Sequence, residues 1–492
     1  MAKLALLALD QGTTSSRALA FDLKGQLIAS AQQEFAQIYP QSGWVEHDPE
    51  VIWATVLTTA RKAFEAAEAQ GYEIAALGVT NQRETTLVWD RKTSRPIHNA
   101  IVWQDRRTAD HCARLKTAGA EDEVRTKAGL VLDPYFSATK LGWILDRVPG
   151  ARAKAQGGKL AFGTVDSFLF HRLTGGAVHA IEATNASRTS LYNLADGTWD
   201  EDLLKLFNIP AEVLPQIVDS AGPIGQTQEA IFGRSIPITG AAGDQQAAAI
   251  GQACLEPGEM KSTYGTGAFM LVHTGSEIIA SNNRLLSTTA WRLGGESRYA
   301  LEGAVLSAGS TVQWLRDGLG IIARAGEIEA LAADADPESG VYLVPAFTGL
   351  GAPHWNPDAR AALIGLTRGA GRAEIARAAL DSVAFQTHDL LTAMKADGVQ
   401  VRALKVDGGM AVNDGLVQRL ADLCAVKTVR PTNLESTAWG AAFLAGLGAG
   451  IYSDLGEGQA LWKQDRAFMP QLDEETRSKQ LEGWHHAVSR VL

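Results

Sequence analysis

A chain of 492 residues is too long for one ordinary hydrophobic core, so two large domains with a cleft between them are expected. An apolar fraction of 46% and a charged fraction of 20% are those of a soluble globular protein, and the net charge of −10 argues against a general nucleic-acid or anionic-membrane binder. Cys112, Cys254 and Cys424 fit no zinc spacing or disulfide framework and read as free thiols of a reducing cytoplasm. No apolar run approaches the ~20 residues of a membrane helix, and Asp10 ends the N-terminal run, so membrane insertion and a signal peptide are both excluded.

The run Leu4 to Leu9 reads as a buried strand that stops at Asp10. Gln11 to Ser16 is turn material and Ala18 to Phe21 resumes the run, which predicts a β-hairpin. Gly12, able to take positive φ, would aim successive N–H groups into the bend as an anion nest. Thr13, Thr14, Ser15 and Ser16 add hydroxyls and Arg17 a fixed positive charge. A carboxylate beside such a nest suits a phosphate with its metal, Asp10 holding Mg²⁺ directly or through water. An ordinary polar hairpin would use the same residues.

Residues 25–35 alternate weakly and suggest a third antiparallel strand. A helix follows, with Asp48 as N-cap, Pro49 in the first turn, an apolar face from Val51 to Ala67, and Gly71 as its stop. Residues 74–80 form a strand ending in NQRETT, which places Arg83 and Glu84 side by side where binding residues gather in open α/β sheets. A guanidinium next to a carboxylate can donate to and accept from adjacent hydroxyls; a surface ion pair is the plainer reading. Trp103, in a short strand over residues 99–108, and Tyr135 could wall a small pocket or sit in the core. PGARAKAQGGKL (149–160) reads as a surface loop, and its GGK lacks the upstream glycine and following Ser or Thr of a Walker A motif.

Residues 236–251 give a strand, a Gly/Ala turn and a helix opening near Asp244, either an N-cap or a general base in the cleft. KSTYGTGAFMLVHTG (261–275) then echoes the N-terminal hairpin as a weak internal repeat. A loop enters a helix near Gly309, with Gln313 one turn in. The segment 345–369 is long and irregular, dense in Gly, Pro and aromatics. A helix spans roughly 373–396, and LKVDGGMAVND (404–414) reads as strand, Gly-Gly turn and helix, where Gly409 would let a flat ring or phosphate approach bare backbone. From Pro470 the chain is polar and helical.

LALDQGTTSSRA, GVTNQRETT, AIVWQDRRT, GAAGDQQAA, YGTGAFMLVHTG, GLGAPHWNPDARAALIGLTRG and VDGGMAVND together resemble the FGGY carbohydrate kinase family, in order and over nearly the whole chain. The resemblance implies an α/β fold of two ribonuclease-H-like domains of the actin and hexokinase clan, residues 1–250 and 251–492, with a catalytic cleft between them. GVTNQRETT points to the branch that phosphorylates glycerol with ATP, giving sn-glycerol 3-phosphate in the first step of glycerol catabolism, with Mg²⁺ as cofactor.

By the same resemblance Asp10 is the metal-associated carboxylate, and Thr13, Thr14, Ser15 and Arg17 contact phosphate. Arg83, Glu84, Trp103, Tyr135, Asp244, Gln245 and Phe269 form the glycerol pocket, with Asp10, Arg17 and Asp244 catalytic and Asp244 the base. Thr266, Gly309, Gln313, Gly409 and Asn413 bind the nucleotide. A cytoplasmic homodimer or homotetramer is implied. Some members bind fructose 1,6-bisphosphate between subunits through a Gly/Lys/Arg-rich loop; here that segment (230–240) keeps only Arg234 of the basic residues, so no response to that ligand is expected. A kinase for another small polyol and an ATP-driven clamp on the same fold are the alternatives.

Overall fold

The N-terminal apolar run forms β1 (Lys3–Gln11) in the interior of a six-stranded sheet, in a computed structural model that describes residues 3–356 and 358–492. Ala5 to Leu9 are wholly buried because both faces of the sheet are covered. β2 (Ser15–Asp22) and β3 (Leu27–Glu34) continue it as an antiparallel meander. α1 (Pro49–Ala69) crosses back: the Asp48 carboxylate accepts the Glu50 amide at 2.8 Å and Pro49 fills the first turn. β4 (Tyr72–Asn81) returns parallel to β1, and β5 (Ala221–Gln226) and β6 (Pro237–Gly243) complete the order β5-β6-β4-β1-β2-β3 before α2 (Asp244–Gly251).

The second half builds β7 (Glu259–Tyr264), β8 (Ala268–Gly275), β9 (Leu286–Leu293) and β10 (Glu296–Val305), then α3 (Gly309–Asp317) and α4 (Arg372–Ala396). β11 (Ala403–Asp407), α5 (Asp414–Cys424), β12 (Thr428–Pro431), α6 (Ser436–Gly448), β13 (Gln464–Phe468) and α7 (Glu474–Ser489) follow. The seven strands run β9-β10-β8-β7-β11-β12-β13. The path β10-β8-β7-β11-β12 has the pairing senses of β3-β2-β1-β4-β6, and each ends on an antiparallel edge strand, β13 or β5. The echo between the two hairpin sequences is therefore a repeat of topology.

Residues 82–220 insert a satellite with its own core, including Phe136, Leu141, Ile144, Phe162 and Leu191. The two sheets meet through α2 and α6, which share one apolar cluster with residues of both halves, Leu6 and Ala76 among them on one side and Leu271 and Ala300 on the other. A Cβ on Gly440 would lie 1.8 Å from the Ala247 carbonyl oxygen, so these helices touch backbone to backbone and only glycine fits.

Three details depart from the sequence expectation. The hairpin turn is tighter, because β1 runs through Gln11 and β2 begins at Ser15, with the Gly12 amide on the Ser15 carbonyl at 2.9 Å. Gly12 is not among the residues of positive φ, so a left-handed glycine does not make this bend. The 149–160 stretch holds a short helix, Ala151–Gln156, entered through left-handed Gly150. Pro357, within the irregular 345–369 segment, lies outside the described residues. Cys112, Cys254 and Cys424 are free thiols, and no described helix is long and apolar enough to cross a membrane.

Candidate active site

β1, β4 and β6 lie side by side and parallel, with Gln11, Asn81 and Gly243 in register. Whatever follows their carboxyl ends must emerge at one edge, the usual place for ligands in such sheets. That edge delivers Asp10, Arg83 with Glu84, and Asp244.

Asp10 faces Arg17 directly across the hairpin. Arg17 gives both Nε (3.0 Å) and Nη2 (2.5 Å) to Asp10 Oδ2, and Nη1 to Glu435 at 2.7 Å. Asp10 and Glu435 hold this guanidinium well above its ordinary pKa, so its charge is permanent. Both bonds fall on Oδ2, so Arg17 leaves Asp10 Oδ1 unoccupied. Thr13 accepts the Trp103 indole N–H at 2.9 Å, linking the phosphate hairpin to the aromatic wall. Thr14 is exposed and Ser15 lies 3.3 Å from Gln32 Nε2. Ser16 is buried against Thr55 at 2.9 Å, so its hydroxyl serves the core and not an anion.

Arg83, Glu84 and Asp244 form no surface pair. Arg83 is 3% exposed, and its fork grips Glu302 on β10 at 2.5 and 3.0 Å, across the cleft. Its Nε lies 3.3 Å from Asp244 Oδ1. Glu84 sits at φ 59, a strained value for a side-chain-bearing residue. It is held there by Ser137 on its carbonyl (2.9 Å) and by Arg188 Nε on its carboxylate (2.6 Å). Arg188 also reaches Glu302 at 2.9 Å. Gly243 makes the approach possible, since a Cβ there would fall 2.6 Å from the Arg83 stem.

Lys261, at the start of the second hairpin strand, donates to Gln245 Oε1 and to Thr263 Oγ1 at 2.9 Å. Arg83, Arg188 and Lys261 thus face Glu84, Asp244 and Glu302, with buried Asp407 also acting on Lys261, and of these only Asp244 keeps part of its side chain open. Burial raises the Asp244 carboxyl while Arg83 and Lys261 oppose it. Burial lowers Lys261 to about 8. Burial would raise Glu302 as well, but Arg188 and Arg83 outweigh it and hold the carboxyl down at about 2.

Asp244 is the first residue of α2, whose cap is Gly243; its Oδ1 accepts the neighbouring Gln245 amide at 2.7 Å beside the Arg83 contact. One third of its side chain remains open. Aromatics border this cluster: the Arg188 guanidinium lies 5.7 Å from the Tyr135 ring centre, Lys261 donates to the Phe269 carbonyl at 3.3 Å, and Trp103 is edge-on to Tyr135 at 5.6 Å and to Phe269 of the opposite domain at 6.0 Å. A partly open carboxylate beside buried charges and aromatic rings suits a small polyol.

The second hairpin turn gathers the remaining residues. The Thr266 carbonyl accepts the amides of Ala308 (2.9 Å) and Ser310 (3.0 Å), which docks the start of α3 on the turn. A Cβ on Gly309 would lie 2.5 Å from the Gly265 oxygen, so this glycine is needed for packing. Gly409 differs: it is exposed and a Cβ there meets nothing within 4 Å. Gln313 is exposed, and Asn413 caps α5 by accepting the Leu416 amide at 2.8 Å.

Sequence reasoning missed Arg188, Lys261, Glu302 and Glu435. Arg188 lies in the polar run 183–190, which hydropathy reads as surface although nearly all of it is buried. Glu302 did carry a signal, a lone carboxylate inside the apolar strand YALEGAV.

The N-terminal domain profile of the FGGY family of carbohydrate kinases matches residues 5–251, and its C-terminal domain profile residues 260–449. A glycerol kinase of Rhodospirillum centenum is 58% identical over 486 residues, 99% of this chain and 98% of that protein. One from Methylobacterium nodulans is 56% identical over 491 residues, again 99% and 98%. The crystal structure of Plasmodium falciparum glycerol kinase with ADP superposes with a TM-score of 0.94 at 34% identity, covering 100% of this chain and 98% of that one. Two profiles in sequence, and relatives matched end to end, make the chain a member of the FGGY family of carbohydrate kinases.

Proposed function

We propose that the chain transfers the γ-phosphoryl group of ATP to a primary hydroxyl of glycerol, releasing ADP and sn-glycerol 3-phosphate. The observation that carries this reading is Asp244, a partly open carboxylate 3.3 Å from Arg83, in a charged cluster that Tyr135 and Phe269 border through Arg188 and Lys261. It is supported by the glycerol kinase names of the relatives, and ADP in the Plasmodium structure supports the nucleotide.

Asp244 accepts the hydroxyl proton as the oxygen bonds to phosphorus and the bond to the β-phosphate oxygen breaks. A base in this role contributes roughly 10²- to 10⁴-fold. Arg17, kept charged by Asp10 and Glu435, faces the charge on the transferring group. Thr13, Thr14 and Ser15 border that path; Thr266, Gly309, Gln313, Gly409 and Asn413 border the nucleoside. Gln245, fixed by Lys261, and Glu84, fixed by Arg188, present groups toward the polyol hydroxyls. A single carboxylate with an oxygen left open suits Mg²⁺, which takes few protein ligands and keeps water and phosphate oxygens. Asp10 would hold it, and when bound it would neutralise charge on the β- and γ-phosphates.

Glu302 and Phe269 belong to one half and Arg83, Arg188 and Trp103 to the other, so the pocket is complete only with residues 1–250 closed on 251–492. Closure around glycerol would then keep water from taking the phosphoryl group. We assign the protein to the cytoplasm as a homodimer or homotetramer. The test of function is a coupled ADP-release assay with Mg²⁺ and ATP. Turnover should require glycerol, and faster turnover with a pentulose, or turnover without any polyol, would overturn the reading.

A further inference from the structure

α4 and α7 bring together a cluster that the proposed phosphoryl transfer does not use. His388 and Asp389 lie on α4 and His485 on α7. The His388 Nδ1 is 3.8 Å from Asp389 Oδ1, and His485 Nε2 is 3.1 Å from the same oxygen. Among the described residues this is the one group of three His, Cys, Asp or Glu side chains whose ligand atoms all lie within 4.8 Å of one another.

The surroundings orient these atoms as a metal's outer partners do. Asp389 Oδ2 accepts the Trp484 indole N–H at 2.7 Å, which fixes the carboxylate plane and points Oδ1 at the two imidazoles. Trp484 is itself buried and stacked on Phe385 at 5.2 Å, so the anchor is rigid. The other ring nitrogen of His388 lies 3.5 Å from the Thr392 hydroxyl. Its Nδ1 is buried and has no hydrogen-bond partner within bonding distance among the described residues, a condition that a bound ion would relieve. A cavity of about 320 Å³ opens beside the cluster, lined by Asp389, Thr392 and His485 and also by His354 of the irregular segment.

We propose that His388 Nδ1, Asp389 Oδ1 and His485 Nε2 bind a divalent transition metal of the Zn²⁺ class, with His354 or water as fourth ligand. Two imidazoles and a carboxylate match the donor preference of Zn²⁺, whereas Mg²⁺ and Ca²⁺ seek oxygen. Bonds of about 2.0–2.1 Å in a tetrahedron put ligand atoms about 3.4 Å apart. The 3.1 and 3.8 Å spacings bracket that value, and the two imidazole nitrogens lie within 4.8 Å of each other, so binding would draw the three atoms together. Such an ion would staple the last helix to the longest helix of the second domain.

The alternative is that Asp389 is merely the ion-pair partner of His485, and metal titration separates the two. Full-length protein is stripped with chelator, then titrated with Zn²⁺ by calorimetry and with Co²⁺ by visible absorption. The expected result is one equivalent per chain, intense Co²⁺ bands of a low-coordinate site, and a raised Tm that chelator reverses. His485→Ala, at a half-exposed position that tolerates truncation, should weaken binding by roughly 10- to 100-fold. His388→Ala should do the same, and neither should move glycerol turnover beyond about twofold. Wild type without Zn²⁺ uptake, or a His485→Ala variant that binds as tightly as wild type, would overturn the proposal.

Discussion

The proposed polyol and nucleotide ends of the site are built on opposite plans. At the polyol end every charged group is already engaged: Arg83 and Arg188 are buried and tied to Glu302 across the domain boundary, Glu84 is strained into place, and Lys261 holds Gln245. At the nucleotide end Gln313 and Thr266 are exposed, Gly409 is bare, and Asn413 serves its own helix. A small neutral ligand offers little binding energy, so its site must be preorganised. A nucleotide brings its own charge and surface, and its site can be assembled around it. Damage at the first end should therefore appear in stability and turnover together, and damage at the second in nucleotide affinity alone.

The largest effect is expected from Glu302→Ala, which leaves two buried guanidinium groups under-compensated. Breaking such a network costs about 3–5 kcal/mol, so the variant should melt well below wild type and lose most activity in the same preparation. A wild-type Tm would show that Arg83 and Arg188 do not depend on that carboxylate.

The charge balance makes a pH prediction. As pH rises past about 8, Lys261 loses its proton and the pocket loses one of its three positive charges. Asp244 must shed its proton to act, and burial places that loss above the ordinary carboxylate range. kcat/KM for glycerol should thus fall on both sides, by roughly tenfold one unit above the Lys261 value. Lys261→Met should have no alkaline limb near pH 8, and an unchanged limb there would assign it to another group.

At the nucleotide end, Gln313→Ala should raise the KM for ATP several-fold, about 0.5–1.5 kcal/mol for one hydrogen bond, with Tm and glycerol KM unmoved. A shift in glycerol KM would mean the two ends are coupled through α3. The smallest effect concerns residues 230–240. Arg234 is spent within its own domain, donating to the Ile74 carbonyl at 3.0 Å, lying 3.8 Å from Glu68 and covering the Phe64 ring. Millimolar fructose 1,6-bisphosphate should leave activity at sub-saturating glycerol unchanged at every enzyme concentration, and inhibition that deepens with concentration would contradict this.

The elements were legible wherever local chemistry decides them. The cap at Asp48 and Pro49, the hairpin around Gly12, the turn before Asp244 and the echo at 261–275 all lie in runs of under twenty residues. What could not be read was partnership across sequence. Glu302 meets Arg83 from 219 residues away and Arg188 from 114, and no periodicity records such a contact. Ser16 shows the same limit in reverse: its place in a polar turn suggested a ligand donor, but strand alternation turns it onto Thr55. The buried run 183–190 looks like a surface loop because its hydroxyls and amides find protein partners that only the fold supplies.

The central claim is that the polyol end is prebuilt around Asp244 as the group that takes the proton, and Asp244→Asn tests it most directly. The amide is isosteric and Gly243 is the helix cap, so the variant should fold and bind glycerol within a few-fold of wild type. Single-turnover measurement of ADP formation with saturating glycerol should show a rate lower by roughly 10²- to 10⁴-fold. A rate within threefold of wild type would contradict the account.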